Sequence, residues 1–164
     1  MENTLEPTTV DGAKQPHRPT IVCIDDDPET IRAISLILSK YDVELVAGFT
    51  GEQGIWETLS RKPDLVITDI RMPRGSGDTV IECLRAVPQT GFIPVIVLTG
   101  MRDRHLKGRM RRIGATGYLL KPVPISDLLA EIGKYVELRE RATDSKAGQS
   151  WHDNTPSWKC IPPH

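Results

Sequence analysis

Residues 65–69 read Leu-Val-Ile-Thr-Asp, a short apolar run that ends in a carboxylate. A run this short and this apolar, bounded by turn residues, is typical of a strand buried on both faces of a parallel sheet. Three other apolar runs end in polar residues: residues 21–24 precede Asp25, Asp26 and Asp27, residues 95–98 precede Thr99, and residues 118–120 precede Lys121. The sequence therefore predicts that these side chains collect at the carboxyl ends of parallel strands, on one edge of a sheet.

Helical patterns separate the predicted strands. Five strand-then-helix units can be counted, with strands at 20–25, 43–47, 65–69, 93–98 and 117–120. The first helix is expected to begin at Pro28 after an Asp27 N-cap, the second to open with a capping box of Thr50 and Gln53, and the last to be capped by Ser126. This alternation implies an α/β fold, with right-handed crossovers and helices on both faces of a parallel sheet.

The 164 residues allow one domain with extensions. We expect a flexible N-terminal extension at 1–19, a domain at 20–141 and a disordered C-terminal tail at 142–164. Lysine and arginine number 21 against 22 acids, so the net charge of -1 gives no reason to expect nucleic-acid or membrane affinity. No apolar segment approaches membrane-spanning length, and a cytoplasmic protein is expected.

The three cysteines are Cys23, Cys83 and Cys160, and their spacing matches no zinc or disulfide pattern. Cys23 lies in a predicted strand and Cys83 in a helical pattern. Both are expected to be small core residues.

The polar strand ends indicate a metal site. In open α/β sheets, ligands bind outside the carboxyl ends of the strands. The carboxylates of Asp25, Asp26 and Asp69 would repel one another, and the single Lys121 compensates only part of their charge, so a further cation is expected. A site with oxygen ligands alone favours Mg²⁺. A carboxylate beside Mg²⁺ can attack phosphorus and form an acyl phosphate, while a lysine and a threonine hydroxyl hold the transferred oxygens.

Over about residues 20–139 the chain resembles the receiver domain of two-component response regulators. The resemblance rests on Ile-Asp-Asp-Asp-Pro at 24–28, Pro-Asp-Leu-Val-Ile-Thr-Asp-Ile-Arg-Met-Pro at 63–73, Gly-Ser-Gly at 75–77, Val-Ile-Val-Leu-Thr-Gly at 95–100 and Gly-Ala-Thr-Gly-Tyr-Leu-Leu-Lys-Pro at 114–122. It implies a flavodoxin-like, doubly wound (βα)5 fold whose five parallel strands have the order 2-1-3-4-5.

The resemblance also implies roles for the site residues. Asp69 would be the phosphoacceptor, Asp26 a direct Mg²⁺ ligand and Asp25 a second acid that acts mainly through water. The backbone carbonyl of Arg71 would also bind the metal. Thr99 would bond one phosphoryl oxygen, and Lys121 would pair with another after a cis peptide to Pro122.

Three further positions take roles from the resemblance. Tyr118 occupies the switch-aromatic position, which turns inward as Thr99 moves toward the phosphoryl group. Arg71 and Met101 lie where the family varies the lifetime of its phosphoryl group.

The chain departs from the family pattern in two places. Thr116 and Gly117 replace an acidic pair that supports dimerisation in many relatives, so a monomer or weak dimer is expected. The predicted fourth helix, 102–113, is unusually basic. This basic set is either a docking face for an acidic partner or a solvated surface; besides Arg102 it comprises Arg104, Lys107, Arg109, Arg111 and Arg112.

The tail contains Trp151 and Trp158, and it is a short recognition motif, a segment that folds back on the domain, or an inert extension.

The function expected is that of a stand-alone phosphoacceptor switch. It would take a phosphoryl group onto Asp69 from a sensor histidine kinase or a histidine phosphotransfer protein, and would signal through protein contacts rather than as an enzyme. One alternative is an aspartate-nucleophile phosphatase of the haloacid-dehalogenase type, working through Asp25. The other is an adaptor that binds partners without phosphorylation. The sequence leaves the cognate kinase and the downstream target open.

Overall fold

The structure is a computed structural model that describes residues 17–141. The expected tail, with Trp151, Trp158 and Cys160, and residues 1–16 lie outside the described residues. Five strands alternate with five helices. They are β1 (Thr20–Ile24), α1 (Pro28–Leu38), β2 (Glu44–Gly48), α2 (Gly51–Arg61), β3 (Leu65–Thr68), α3 (Gly77–Ala86), β4 (Val95–Thr99), α4 (Leu106–Ile113), β5 (Gly117–Leu120) and α5 (Ile125–Ile132).

The strands form one parallel sheet in the order β2-β1-β3-β4-β5. The predicted fold class and strand order are therefore confirmed. Residues 17–19 contact the domain although they were assigned to the extension: Arg18 Nη2 donates to the Val43 carbonyl at 2.9 Å and Glu44 N–H to the Pro19 carbonyl at 2.8 Å. Among the described residues, no helix is long and apolar enough to cross a membrane.

Alternate strand residues point to two apolar layers. One layer joins the sheet to α1 and α5 and contains Ile31, Ile34 and Ile132 among its buried residues. The other lies under α3 and α4, with Val80, Leu84 and Met110. Alternation of this kind is expected of strands that are buried on both faces, and it leaves the strand ends as the place for polar groups.

Helix α2 packs against the sheet through small residues. Its buried positions are Gly51, Gly54 and Thr58, and a Cβ at Gly54 would lie 2.3 Å from Cδ1 of Ile24. The helix therefore approaches β1 closely, while Trp56 remains 63% exposed. Hydrophobic periodicity reveals only part of this face, because Ile55 packs against the core but the buried positions are two glycines and a threonine.

Two helix starts differ from the sequence predictions. The expected Ser126 cap is wrong: α5 begins at Ile125 after Pro124, and the Ser126 hydroxyl lies 3.2 Å from Asp127 Oδ1. Helix α4 begins at Leu106 rather than at 102, because the Asp103 side chain accepts the His105 N–H at 2.8 Å and favours a turn there.

One core expectation is also wrong. Cys23 is buried, as predicted, but Cys83 is exposed, since the buried face of α3 is formed by Val80, Ile81 and Leu84. The N-caps predicted at Asp27 and Thr50 are confirmed.

Candidate functional site

Three carboxylates meet at the carboxyl ends of β1 and β3. Asp25 and Asp26 follow β1, Asp69 follows β3, and Ile24 pairs with Thr68 in the register of these neighbouring strands. One carboxylate oxygen of each acid lies within 4.8 Å of the others. Asp25 is buried, Asp69 is half-buried and Asp26 is exposed, so the cluster is open to solvent on one side.

Lys121 reaches this cluster from β5, on the far side of β4. Its Nζ donates to Asp25 Oδ2 at 2.5 Å and lies 3.9 Å from Asp69 Oδ2. The peptide bond between Lys121 and Pro122 is cis, as the resemblance implied. The lysine thus spans the buried and the half-buried carboxylate.

Hydrogen bonds distinguish the first two acids. Both oxygens of Asp25 are occupied, since Oδ1 accepts the Asp27 N–H at 2.9 Å and Oδ2 accepts from Lys121. Burial raises the pKa of Asp25, and the Lys121 hydrogen bond and the Asp27 N–H only partly oppose it. This arrangement favours contact between Asp25 and a metal through water over direct ligation.

Asp27 takes no part in the cluster. Its carboxylate caps α1, with Oδ1 accepting the Glu29 N–H at 3.0 Å and Oδ2 accepting the Thr30 hydroxyl at 2.9 Å. The Thr30 hydrogen bond is the main cause of a lowered Asp27 pKa.

The remaining acids have free ligand positions. Asp69 Oδ1 accepts the Ile70 N–H at 2.6 Å, and Oδ2 faces Lys121 at the longer distance given above. The Arg71 carbonyl accepts no hydrogen bond from residues 17–141. Three carboxylates with one ammonium, and with oxygen as the ligand atom throughout, fit a hard divalent cation that keeps several waters, as Mg²⁺ does.

A cleft of about 360 Å³ joins Asp69 to the end of β4. Thr99 is the last residue of that strand and is fully buried, and its Oγ1 accepts the Met101 N–H at 3.3 Å. Asp69, Thr99 and Met101 line this cleft together with Arg71. The expected nucleophile and hydroxyl therefore face one cavity, flanked by the two residues expected to affect phosphoryl lifetime.

A second cleft of about 520 Å³ lies on the other side of Arg71 and Met101. It is bounded by Asp26 from the acid cluster and by Asp78 and Arg109 from helices α3 and α4. Sequence reasoning missed Asp78. Its position directly after the Gly-Ser-Gly stretch of the β3–α3 loop was the available signal.

Tyr118 does not touch the acids. It lies on β5 opposite Val97, half-buried against the core layer beneath α4. Burial raises the pKa of Tyr118, and the nearby Asp103 carboxylate adds to the effect. The ring is therefore next to the segment that follows Thr99.

The basic set does not form one continuous face. Arg104 precedes α4, and its Nε lies 3.1 Å from His105 Nε2. Arg109 Nη2 lies 2.9 Å from Asp78 Oδ2, so this side chain is turned toward α3. Lys107, Arg111 and Arg112 are exposed on the helix.

Comparison with known proteins gives a consistent result. A family model described as the response regulator receiver domain matches residues 21–133. Hybrid signal transduction histidine kinase D of Dictyostelium discoideum is 35% identical over 124 residues, which is 76% of this chain and 8% of that protein. Transcriptional regulatory protein PdtaR of Mycobacterium tuberculosis is 37% identical over 129 residues, 77% of this chain and 60% of that protein.

Solved structures agree in fold. The BeF3-activated receiver domain of Klebsiella pneumoniae RstA is 32% identical, with a TM-score of 0.65 over 71% of this chain and 97% of that one. Chemotaxis protein CheY4 of Vibrio cholerae, at 23% identity, has a TM-score of 0.68 over 73% of this chain and 100% of that one. Against full-length curated relatives the chain is short: it spans between 8% and 60% of the first four proteins.

Proposed function

The chain belongs to the response regulator receiver domain family, and on that premise we propose that it is a phosphoacceptor switch in which Asp69 takes the phosphoryl group. The observation that carries this proposal is the meeting of Asp25, Asp26 and Asp69 within 4.8 Å, with Lys121 beside them. Asp69 is the one of these three acids that lines the cleft to which Thr99 also belongs.

Magnesium would be held by Asp26, Asp69 and the Arg71 carbonyl, with Asp25 acting through water. When bound, Mg²⁺ neutralises charge on the phosphoryl oxygens and on the attacking carboxylate. The assignment of Asp25 to the outer position is supported by its two occupied oxygens.

In the proposed transfer, Asp69 Oδ2 attacks phosphorus of a phosphohistidine. An O–P bond forms, the N–P bond breaks, and the donor imidazole keeps the electron pair. The Lys121 ammonium, 3.9 Å from Asp69 Oδ2, pairs with a phosphoryl oxygen. The Thr99 hydroxyl bonds another, giving up the Met101 N–H that it accepts at 3.3 Å.

The change at Thr99 is proposed to reach the surface through Tyr118. A hydroxyl drawn toward the phosphoryl group shifts the segment that begins at Gly100, and Tyr118 lies beside that segment, near Asp103. The half-buried ring then moves inward. Its fluorescence or its solvent exposure would report the switch.

Arg71 and Met101 are proposed to screen the acyl phosphate from water, because both line each of the two clefts at the site. Replacing both with alanine should speed hydrolysis of the acyl phosphate. An unchanged hydrolysis rate in the double variant Arg71→Ala, Met101→Ala would remove this role.

The donor is proposed to be a sensor histidine kinase or a histidine phosphotransfer protein in the cytoplasm. Two relatives, one from Dictyostelium discoideum and one from Ectopseudomonas mendocina, are named as histidine kinases. The proposed output is a protein contact rather than catalysis. The exposed residues Arg104, Lys107, Arg111 and Arg112 would suit an acidic partner surface.

The phosphatase alternative requires Asp25 as the nucleophile. The environment of Asp25 disfavours this role, because the side chain is buried and a hydrogen bond occupies each oxygen. The adaptor alternative would be favoured by an Asp69→Asn variant that keeps full partner activity.

A direct test is incubation with acetyl phosphate and Mg²⁺, followed by intact mass spectrometry and peptide mapping. We expect one phosphoryl group on Asp69, lost on alkaline hydrolysis, and none in Asp69→Asn. Asp25→Asn is the matched control, because it removes one carboxylate of the cluster and keeps Asp69, the proposed nucleophile. Label on Asp25, or steady turnover of a phosphate ester, would refute the proposal.

A further inference from the structure

An ion pair joins helices α3 and α4 beside the acid cluster. Arg109 Nη2 lies 2.9 Å from Asp78 Oδ2. Asp78 is the second residue of α3 and Arg109 is the fourth residue of α4. Both residues line the 520 Å³ cleft that Asp26 and Met101 also line. The ion pair is therefore part of the wall of a cavity that reaches the metal ligands.

The two ends of helix α4 differ in the polar contacts that fix them to the domain. At its C-terminal end, the Gly114 carbonyl accepts two hydrogen bonds from the Arg85 guanidinium, at 2.7 and 3.2 Å. At its N-terminal end, Leu106 is buried in the core layer, but the His105 N-cap makes no side-chain capping bond. Within residues 17–141, the Arg109–Asp78 pair is the one salt bridge that joins α4 to another element.

The segment between β4 and α4 packs against the core through Met101, but among residues 17–141 its one hydrogen bond to an element other than α4 is from the Met101 N–H to Thr99. It carries Met101, and its first residue is Gly100, where a Cβ would meet no atom within 4 Å. A small shift of the N-terminal half of α4 would carry this segment with it and widen the cleft next to Asp26. The polar contact that opposes such a shift is the ion pair.

The chemistry of Asp78 favours a formed pair. Its Oδ1 is buried and has no hydrogen-bond partner among the described residues, so Arg109 is the group that compensates this carboxylate. The Asp78 side chain is 27% exposed and that of Arg109 is 51% exposed. For a pair so accessible to water, breaking it changes an equilibrium by about two- to five-fold.

We propose that Arg109 and Asp78 form a tether that keeps α4 and Met101 over the cleft and so slows the attack of water on phosphorylated Asp69. In that attack, water oxygen bonds to phosphorus, the O–P bond to Asp69 breaks, the carboxylate is regained and the proton leaves with inorganic phosphate. The tether rests on the proposed function. Arg109 and Asp78 are positioning residues that act on the site through the position of α4.

The test is a double-mutant cycle on the lifetime of the acyl phosphate. Asp78→Asn, Arg109→Gln and the double variant are phosphorylated with acetyl phosphate and Mg²⁺, the donor is removed, and phosphate release is followed. Glu82→Gln is the matched control: Glu82 lies on α3 with Asp78, is exposed and lies within ion-pair distance of no basic side chain among residues 17–141. Circular dichroism establishes that each variant is folded.

We expect each single variant to release phosphate about two- to five-fold faster than the wild type, and Glu82→Gln to leave the rate unchanged. The double variant should be no faster than the faster single variant, because both changes break one contact. In about 1 M salt, which screens exposed charges, the wild type should approach the variants.

Unchanged rates in the folded single variants, or effects that multiply in the double variant, would overturn the tether while leaving phosphorylation of Asp69 intact. An effect of Arg109→Gln without an effect of Asp78→Asn would also overturn it, by placing Arg109 on the phosphoryl group itself. Failure of the wild type to take up phosphate would instead refute the proposed function.

Discussion

Replacing Gly51 with alanine should disturb the proposed metal site without touching any proposed ligand. Gly51 is the first residue of α2, and its N–H lies 3.4 Å from the Pro73 carbonyl, while the Glu52 N–H donates to the Arg74 carbonyl at 2.8 Å. The start of this helix therefore holds the loop that follows Asp69 and carries Arg71.

The expected loss of stability in Gly51→Ala follows from the steric clash of the added Cβ. A Cβ at Gly51 would lie 2.0 Å from the Gly75 oxygen, 2.5 Å from its carbonyl carbon and 2.7 Å from its Cα. These are backbone atoms, which cannot rotate away, and the loop has little freedom because Arg74 and Gly75 both have positive φ, 48° and 102°. Overpacking of this kind costs about 1–3 kcal/mol.

The gain of about 0.5–1 kcal/mol of alanine over glycine applies to helix interiors, and Gly51 is the first residue of α2, so we expect a net loss of about 1–3 kcal/mol in the free energy of unfolding. A displaced Arg71 carbonyl should also weaken Mg²⁺ binding by about ten-fold, as loss of ligand positioning does in other metal sites.

The assay combines urea denaturation with calorimetric titration of Mg²⁺. Gly108→Ala is the control, since Gly108 is in α4 and a Cβ there would meet no atom within 4 Å. This control should gain about 0.5–1 kcal/mol and bind Mg²⁺ as the wild type does. If Gly51→Ala keeps wild-type stability and Mg²⁺ affinity, α2 does not position the loop and the reasoning is refuted.

Three further outcomes are expected. Lys121→Met should lower the free energy of unfolding by about 2 kcal/mol or more in the presence of a chelator, because it leaves buried Asp25 without its cation. Added Mg²⁺ should restore part of this loss, as measured by urea denaturation. Saturating Mg²⁺ at 100 times its dissociation constant should stabilise the wild type by about 2.7 kcal/mol, and Asp26→Asn should lose most of this gain in thermal denaturation. Burial raises the pKa of Cys23 from 9.0 to about 12, so its thiol stays protonated in the fold. The stability that the neutral Cys23 thiol contributes is complete below pH 9.0 and is lost as the pH rises toward 12. Iodoacetamide at pH 8 should label exposed Cys83 but not Cys23 before unfolding, as read by peptide mapping.

The sequence predicted the sheet well because its signals are local. Each strand is a short apolar run, and each first turn of α1 and α2 has a capping side chain at Asp27 or Thr50. Where the local signal was weak, the boundaries moved. Ser126 resembles a cap, but α5 begins at Ile125, two residues before the start that a Ser126 N-cap would give, and makes no side-chain capping bond.

Packing through glycine was not readable. Periodicity finds apolar side chains, and on α2 it identifies Ile55, which packs against the core, but not the buried residues Gly51, Gly54 and Thr58. A glycine is required at such a position because it has no Cβ and so allows close approach of the neighbouring backbone. Whether a Cβ would fit depends on the distance to the neighbouring backbone, which is a property of the tertiary structure.

The sequence by itself determined which chemical groups gather at the sheet edge, because a parallel sheet brings the ends of its strands to one side whatever the loops do. Only the tertiary structure decided how these groups divide their roles. Lys121 bonds Asp25 across 96 residues of sequence, which occupies one acid and leaves Asp69 facing the cleft. It likewise decided that Arg109, one of several similar arginines, pairs with Asp78. Such pairings depend on distances between distant segments, and these distances are set only when the two core layers pack.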